Sequence, residues 1–173
     1  YEKDLFIILN LHHEEWLNNA QMVTNKEAIA EEIGALWAQI ADFFAEYDQH
    51  LIFEGMNEPR LAGTSIEWGG DESAYEAVNY FAQTFTNAVL DNGKGHNPER
   101  VLVIPGYAAS NSAAVMKSVN IPTYNGEAIK NMVVSVHCYA PYDFCLNTKM
   151  KDFKETDSNC VSPINQTFSL IKS

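Results

Sequence analysis

Short unbroken apolar runs recur along this chain, and helix-length amphipathic stretches separate them. Residues 5–9 (Leu5, Phe6, Ile7, Ile8, Leu9) read as a strand buried on both faces, because an alternating polar face is missing. Residues 50–55, 100–104 and 131–136 are three more such candidates, rich in Val, Ile, Leu and Phe. Between the first two lies a helical pattern over 26–47. Its Ile29, Ile33, Leu36, Trp37, Ile40, Phe43, Phe44 and Tyr47 recur every three to four residues, and Asn25 is its expected N-cap. A second helix is predicted over 72–90, on Ala74, Val78, Phe81, Phe85 and Val89, with Asn92-Gly93 as its stop. A shorter piece is expected at 112–119. A last helix is expected at 163–171, with Pro163 in its first turn. Strand and helix in alternation mean a parallel sheet with crossover helices. The fold class is therefore α/β, either a doubly wound sheet or part of a (β/α)8 barrel.

The phosphate-binding motifs of nucleotide folds are missing: no G-x-G-x-x-G follows the first strand and there is no P-loop. Chemistry-bearing residues cluster instead just past every strand candidate. The first run leads into Asn10, His12, His13 and Trp16, and the second into Asn57, Glu58 and Arg60. The third leads into Pro105-Gly106-Tyr107, and the fourth into His137, Cys138 and Tyr139. Functional groups at the C-terminal ends of parallel strands mark the catalytic face of a barrel. Glu58 follows its apolar strand closely, so its carboxyl is expected to be partly desolvated, which favours a general acid. Asn57 beside it suits a sugar hydroxyl. His137 and Tyr139, two apart, share a face. Trp16 and Trp68 lie in loops at the expected mouth, where an indole can stack on a pyranose ring.

Charge and cysteines narrow the partners. With 11 Lys+Arg against 23 Asp+Glu the formal net charge is −12. That excludes the basic footprint that nucleic acid or an anionic membrane requires, and a neutral polysaccharide is indifferent to it. No apolar stretch approaches a membrane span. Cys138, Cys145 and Cys160 fit no zinc spacing. Cys145 and Cys160 flank a polar loop that a disulfide can close, worth about 3 kcal/mol in the chain-entropy account. Asn165-Gln166-Thr167 is a glycosylation sequon. His12-His13 leaves a metal pair open, although the His-x-His and later His and Asp ligands of metal-dependent barrel hydrolases are not seen.

Three motifs carry a family resemblance. They are Ile8-Leu9-Asn10-Leu11-His12-His13-Glu14, then Phe53-Glu54-Gly55-Met56-Asn57-Glu58-Pro59-Arg60, then Ser135-Val136-His137-Cys138-Tyr139. In this order they resemble glycoside hydrolase family 5, the cellulases. Leu-His-His-Glu with a following Trp, and Tyr139-Ala140-Pro141-Tyr142-Asp143-Phe144, are similar to its subfamily 4. That subfamily contains endoglucanases acting on cellulose, mixed-linkage glucan and xyloglucan. The resemblance implies a secreted, monomeric, retaining endo-β-1,4-glucanase that takes a β-glucan and needs no cofactor or metal.

It also implies residue roles. Glu58 becomes the general acid/base, and Asn57 the group that holds the 2-hydroxyl at the cleavage point. His12 becomes an active-site histidine with His13 beside it, and Trp16 a substrate-contacting aromatic. His137 and Tyr139 become a pair in which Tyr139 orients the nucleophile. Trp68 and Tyr107 join His13 and Trp16 as candidate substrate contacts. The family's nucleophile, a second Glu on a later strand, has no counterpart here. Asp143 is the nearest downstream acid and is expected in a loop. A closed barrel needs about 250 residues, against 173 here. The chain, residues 1–173, is thus expected to be the central part of a catalytic domain, about strands three to six of eight. Its first and last residues read as mid-element, and an open half-barrel leaves two sheet edges unpaired, so poor stability and no hydrolysis are expected of it alone. Two other readings stay open: a metal-dependent barrel hydrolase using His12, His13 and His137, and a sugar-binding module that keeps Trp16 and Trp68 without chemistry.

Overall fold

A computed structural model describes residues 4–147 and 149–172. Four strands form one parallel sheet: β1 (Ile7–Asn10), β2 (Leu51–Glu54), β3 (Leu102–Ser110) and β6 (Met132–His137), in the spatial order β1-β2-β3-β6. Helix α1 (Lys26–Phe43) crosses from β1 to β2, and α2 (Glu72–Asn92) from β2 to β3. The short α3 (Ala113–Ser118) and a hairpin of β4 (Thr123–Tyr124) and β5 (Glu127–Ala128) fill the crossover to β6. Helices α4 (Tyr142–Cys145) and α5 (Ser158–Ile171) follow. Strand order in space follows chain order. A doubly wound sheet reverses its order at a switch point, so this sheet is wound as a barrel wall.

The core lies between the sheet and its helices. Trp37, Ile33 and Ala41 of α1 meet Phe81, Phe85 and Val89 of α2 over Leu51 and Phe53, and all are buried. Trp37 also donates its indole N–H to the Gly55 carbonyl at 3.0 Å, which pins α1 to the end of β2. Gly55 is needed there, since a Cβ would lie 2.6 Å from the Phe85 ring. Asp71 caps α2 by accepting from the Ala74 N–H at 2.9 Å, and Gly93 ends it at φ 59°.

Beneath the sheet, Arg100 is 2% exposed and its guanidinium ties three elements together. It donates to the carbonyls of Phe44 (3.0 Å) and Tyr47 (2.7 Å) after α1. It reaches Asp48 (3.2 Å) and Leu51 (2.7 Å) at the start of β2, and Asn97 Oδ1 (3.1 Å) before β3. This explains one difference from the periodicity. The pattern continues to Tyr47, yet α1 stops at Phe43, because the carbonyls of Phe44 and Tyr47 turn to Arg100.

Other expectations are corrected. Asn25 makes no side-chain cap to α1; its amide reaches Gln21 Oε1 at 3.4 Å. Of the run over 5–9 only Ile7, Ile8 and Leu9 join a strand, and it is not buried on both faces. Leu5, Phe6, Ile7 and Ile8 are all exposed, and among the described residues β1 is an edge strand paired only with β2. Pro163 lies inside α5, which starts earlier under the Asp157 cap (Asp157 side chain to the Asn159 N–H, 2.9 Å). The three cysteines are free, so the disulfide that the spacing allows between Cys145 and Cys160 is not made. Cys160 is buried against Met150 Sδ at 3.4 Å, while Cys145 is exposed. The β4–β5 hairpin turns on Asn125-Gly126, both at positive φ (53° and 81°), the dipeptide such a turn favours. Among the described residues no helix is long and apolar enough to cross a membrane.

Two substitutions test this frame in the full-length protein carrying the sequence. Arg100→Met orphans several buried carbonyls at once and should lower unfolding stability by about 3 kcal/mol in urea titration. Arg100→Lys should recover less than half of that, since an ammonium cannot span the same acceptors. Gly55→Ala should cost about 1–3 kcal/mol through overpacking against Phe85. An unchanged midpoint for either site would contradict the packing described.

Candidate active site

The strand ends converge on one open cleft of about 650 Å³. Glu58, Trp68, Ser110, Asn111, His137 and Tyr139 are among its lining residues. Glu58 sits four residues past β2, in a loop stitched to both neighbours. The Asn57 N–H donates to the Leu11 carbonyl at 3.0 Å, and the Ala108 N–H donates to the Pro59 carbonyl at 2.9 Å. The loop is therefore held by backbone bonds to the segments after β1 and within β3.

Glu58 is buried, 7% exposed, as its place after an apolar strand predicts. Its Oε1 lies 2.6 Å from Nδ1 of His137, at the end of β6. With the carboxyl ionised, the imidazole N–H donates to it, a short charge-assisted contact when the ring is protonated. Its Oε2 lies 3.8 Å from Arg60 Nη1, and the same Nη1 donates to the Glu58 carbonyl at 3.1 Å. His137 and Tyr139 do share a face, their ring centroids 6.4 Å apart and nearly perpendicular. Such a carboxyl, partnered on one oxygen and opening onto a cleft, can pass a proton to and from a bound molecule. Among the described lining residues it is the only carboxylate. Asp143 lies in α4 rather than in a loop, where it accepts from Asn147 Nδ2 at 2.8 Å.

The remaining candidates divide. Asn57 is buried beside Glu58, its backbone N–H held by the Leu11 carbonyl. His12 and His13 are exposed on the loop after β1, their rings 4.3 Å apart. His12 Nδ1 meets Asn10 Nδ2 at 3.1 Å, and the same amide donates to Glu54 Oε2 at 3.1 Å. Neither histidine lines the cleft beside Glu58. Among the described residues no three His, Cys, Asp or Glu side chains gather as a metal set, so His12, His13 and His137 are not brought together.

Two of the aromatics expected at the mouth, Trp16 and Tyr107, lie elsewhere. Trp16 is half-buried against the core and lines a hollow with Asn19, Ala28 and Glu32 on the α1 side, away from the Glu58 cleft. Tyr107 is not a mouth residue. β3 does not stop at Ile104 but runs to Ser110, its pairing with β6 interrupted by a bulge that carries Ala108 and Ala109 at positive φ (52° and 47°). Tyr107 turns inward there and is 1% exposed. Its hydroxyl accepts from the Leu61 N–H at 2.9 Å and donates to the Glu67 carbonyl at 2.8 Å. Burial pushes that phenol above its ordinary pKa. Trp68, by contrast, is 61% exposed at the cleft, with the Arg60 guanidinium 4.6 Å from its ring. Arg60, expected just past the second strand, pairs with Glu67 at 3.1 Å, and Glu67 is not among the expected site residues. Its signal is only the charge spacing around a loop that holds Gly63, Gly69 and Gly70.

Known proteins agree with this geometry. The family model for Cellulase (glycosyl hydrolase family 5) matches residues 1–171. Endoglucanase 1 of Ruminococcus albus is 42% identical over 92% of this chain, which spans 38% of that relative. A GH5-4 broad specificity endoglucanase from Ruminococcus flavefaciens superposes with a TM-score of 0.88 at 38% identity, over 99% of this chain and 48% of that structure. A xyloglucan-specific endo-β-1,4-glucanase from a metagenomic library, in complex with cellotriose, gives a TM-score of 0.86 at 34% identity, over 99% of this chain and 49% of that structure. The chain thus spans about two fifths of that curated relative and about half of those solved structures. The chain belongs to glycosyl hydrolase family 5 and covers part of its (β/α)8 barrel domain.

Proposed function

We propose that the full-length protein carrying this sequence is a secreted retaining endo-β-1,4-glucanase with Glu58 as its general acid/base. The observation that carries this reading is the buried Glu58 carboxyl, 2.6 Å from His137 and open to the cleft. In the first step Glu58 gives its proton to the glycosidic oxygen as the C1–O bond breaks and a second carboxylate bonds to C1. In the second step Glu58 takes a proton from water as that water displaces the enzyme carboxylate from C1. The two carboxyls must lie about 5–5.5 Å apart. We assign the second to the half of the barrel that the solved relatives have and this chain does not span, which makes residues 1–173 the central part of the domain.

The other roles follow from placement and from the family. Asn57 receives the sugar 2-hydroxyl, and Tyr139 orients the second carboxylate. His137 holds Glu58 in line. His12 and His13 meet the sugar chain from the loop after β1. Trp68 is the aromatic platform in the cleft. The cellotriose carried by a solved relative supports a β-1,4-glucan as the ligand class. The net charge of −12 is compatible with such a neutral polymer outside the cell.

Glu58→Gln in the full-length enzyme should lower kcat on cellulose or mixed-linkage glucan by roughly 10²–10⁴-fold. On an aryl cellobioside with a good leaving group the first step should suffer far less, because that bond breaks without an acid. Equal losses of kcat/KM, which reads the first step alone, on both substrates, or near-normal activity, would remove Glu58 from the acid role. Activity should also survive a chelator. Its loss there, restored by a divalent metal, would favour the metal-dependent reading with His12, His13 and His137.

A further inference from the structure

Trp68 sits on a loop that ought to be loose. Gly63 and Gly70 flank it at φ 80° and 65°, and the indole is 61% exposed. An aromatic ring free to swing binds a sugar poorly, because ordering it on binding costs entropy. Yet the residues around it are tightly held. The Arg60 N–H donates to Asn18 Oδ1 at 3.2 Å, fixing the backbone where the loop begins. Arg60 Nε donates to Glu67 Oε1 at 3.1 Å, and Nη1 to the Glu58 carbonyl at 3.1 Å. The other Glu67 oxygen accepts from the Gly63 N–H at 3.0 Å, and its carbonyl accepts from the Tyr107 hydroxyl at 2.8 Å. The Gly63 amide and the Arg60 guanidinium together hold the Glu67 carboxyl below its ordinary pKa. Glu67, the residue just before Trp68, is thus anchored by side chain and main chain alike.

The guanidinium is then a plate fixed on its edges, with its side chain only 15% exposed. One of its faces lies 4.6 Å from the Trp68 ring. A cation over an indole face is attractive and leaves that face unavailable. The remaining surface of the indole lines the cleft that also holds Glu58. The geometry points to Arg60 as a positioning residue for sugar recognition: bonded to Glu67 and Glu58, it backs the Trp68 indole and presents its free face to a pyranose ring beside the acid/base. This role rests on the reading of the cleft as a glucan site with Trp68 as its platform. It adds that the platform is aimed by the residue that follows the Asn-Glu-Pro motif, so the proton donor and the sugar platform share one rigid support.

The test is equilibrium binding of cellotetraose to the full-length protein by calorimetry, in a Glu58→Gln background that prevents turnover. Trp68→Ala should weaken binding about 10-fold. Arg60→Met should weaken it by a similar factor, with the indole still present. Arg60→Lys should recover only part of the loss seen in Arg60→Met, because an ammonium keeps a cation near the indole but loses the planar fork held by Glu67 and Glu58. The double variant Arg60→Met/Trp68→Ala should bind no more weakly than Trp68→Ala alone. A general loss of structure would not produce that non-additivity or that rescue. If Arg60→Met does not fold, Glu67→Ala unties the guanidinium without removing it and should weaken binding in the same direction. Parent-like binding by Arg60→Met (or, in its place, by Glu67→Ala), or additive losses in the double variant, would overturn the role of Arg60 while leaving the glucan site standing. Parent-like binding by Trp68→Ala would remove the platform, and with it both this role and that assignment of Trp68. Loss of all cellotetraose binding in the Glu58→Gln parent would instead count against the glucan site itself, and would overturn the positioning role with it.

Discussion

A buried guanidinium must find acceptors, and in this chain it finds them in the backbone. Arg100 collects the carbonyls that follow α1 and those that begin β2, and joins them to the segment entering β3. Helix ends leave such carbonyls unsatisfied and carry partial negative charge, so a cation there answers both needs. The contact decides where α1 stops and where β2 begins. Asn97 extends the tie by donating to the Ala41 carbonyl inside α1 at 2.7 Å. The register of β2 on β1, Ile7 opposite Leu51 through Asn10 opposite Glu54, starts from this point. Glu58 comes four residues after that pairing ends, so the place of the carboxyl at the rim is a consequence of the knot beneath the sheet.

At the other end of the strands the same logic runs in reverse. Parallel strands all present their C-terminal ends to one side, and residues far apart in sequence meet there. Glu58 and His137 are separated by 79 positions and become hydrogen-bonded only because β2, β3 and β6 lie side by side. Burial of a carboxyl is costly unless it is partnered. His137 on one oxygen and Arg60 near the other supply the partners, and each belongs to a different part of the fold. The bulge in β3 contributes as well. It turns Tyr107 inward to hold the loop over 61–67 and leaves the small Ala108 and Ser110 facing the cleft, where a larger side chain would fill it.

The elements were legible wherever local pattern and burial agree. α2 runs almost as its stripe of Ala74, Val78, Phe81, Phe85 and Val89 predicts, because each of those residues is buried and both caps are local in sequence. Glu58, His137 and Tyr139 were legible as residues at strand ends, and the cleft brings all three together. What escaped depends on distant partners. Pro105-Gly106 reads as a terminator, yet Pro105 pairs with Ser135 and the strand continues past it. The end of α1 depends on an arginine more than fifty residues away. The inward turn of Tyr107 depends on a bulge that no periodicity announces. Trp16 and Trp68 look alike in sequence, each an indole in a loop. One is drawn onto α1 by the core, and the other is held out by Arg60, a distinction that only packing makes.

The exposed apolar side chains at β1 and the one carboxylate among the described lining residues of the cleft have one geometric origin. In a closed barrel the inward side chains of each strand are covered by strands across the axis, and the catalytic mouth is walled by loops from all of them. β1 presents Ile7 and Ile8 to solvent, with Leu5 and Phe6 exposed just before it, and among the described residues it pairs only with β2. Glu58 faces a cleft with one acidic wall for the same reason. The solved relatives are about twice as long as the portion this chain matches. In the retaining mechanism proposed above, covering those side chains and completing the acid pair are one requirement, because barrel strands lying across from β1 would end at the mouth where Glu58 opens.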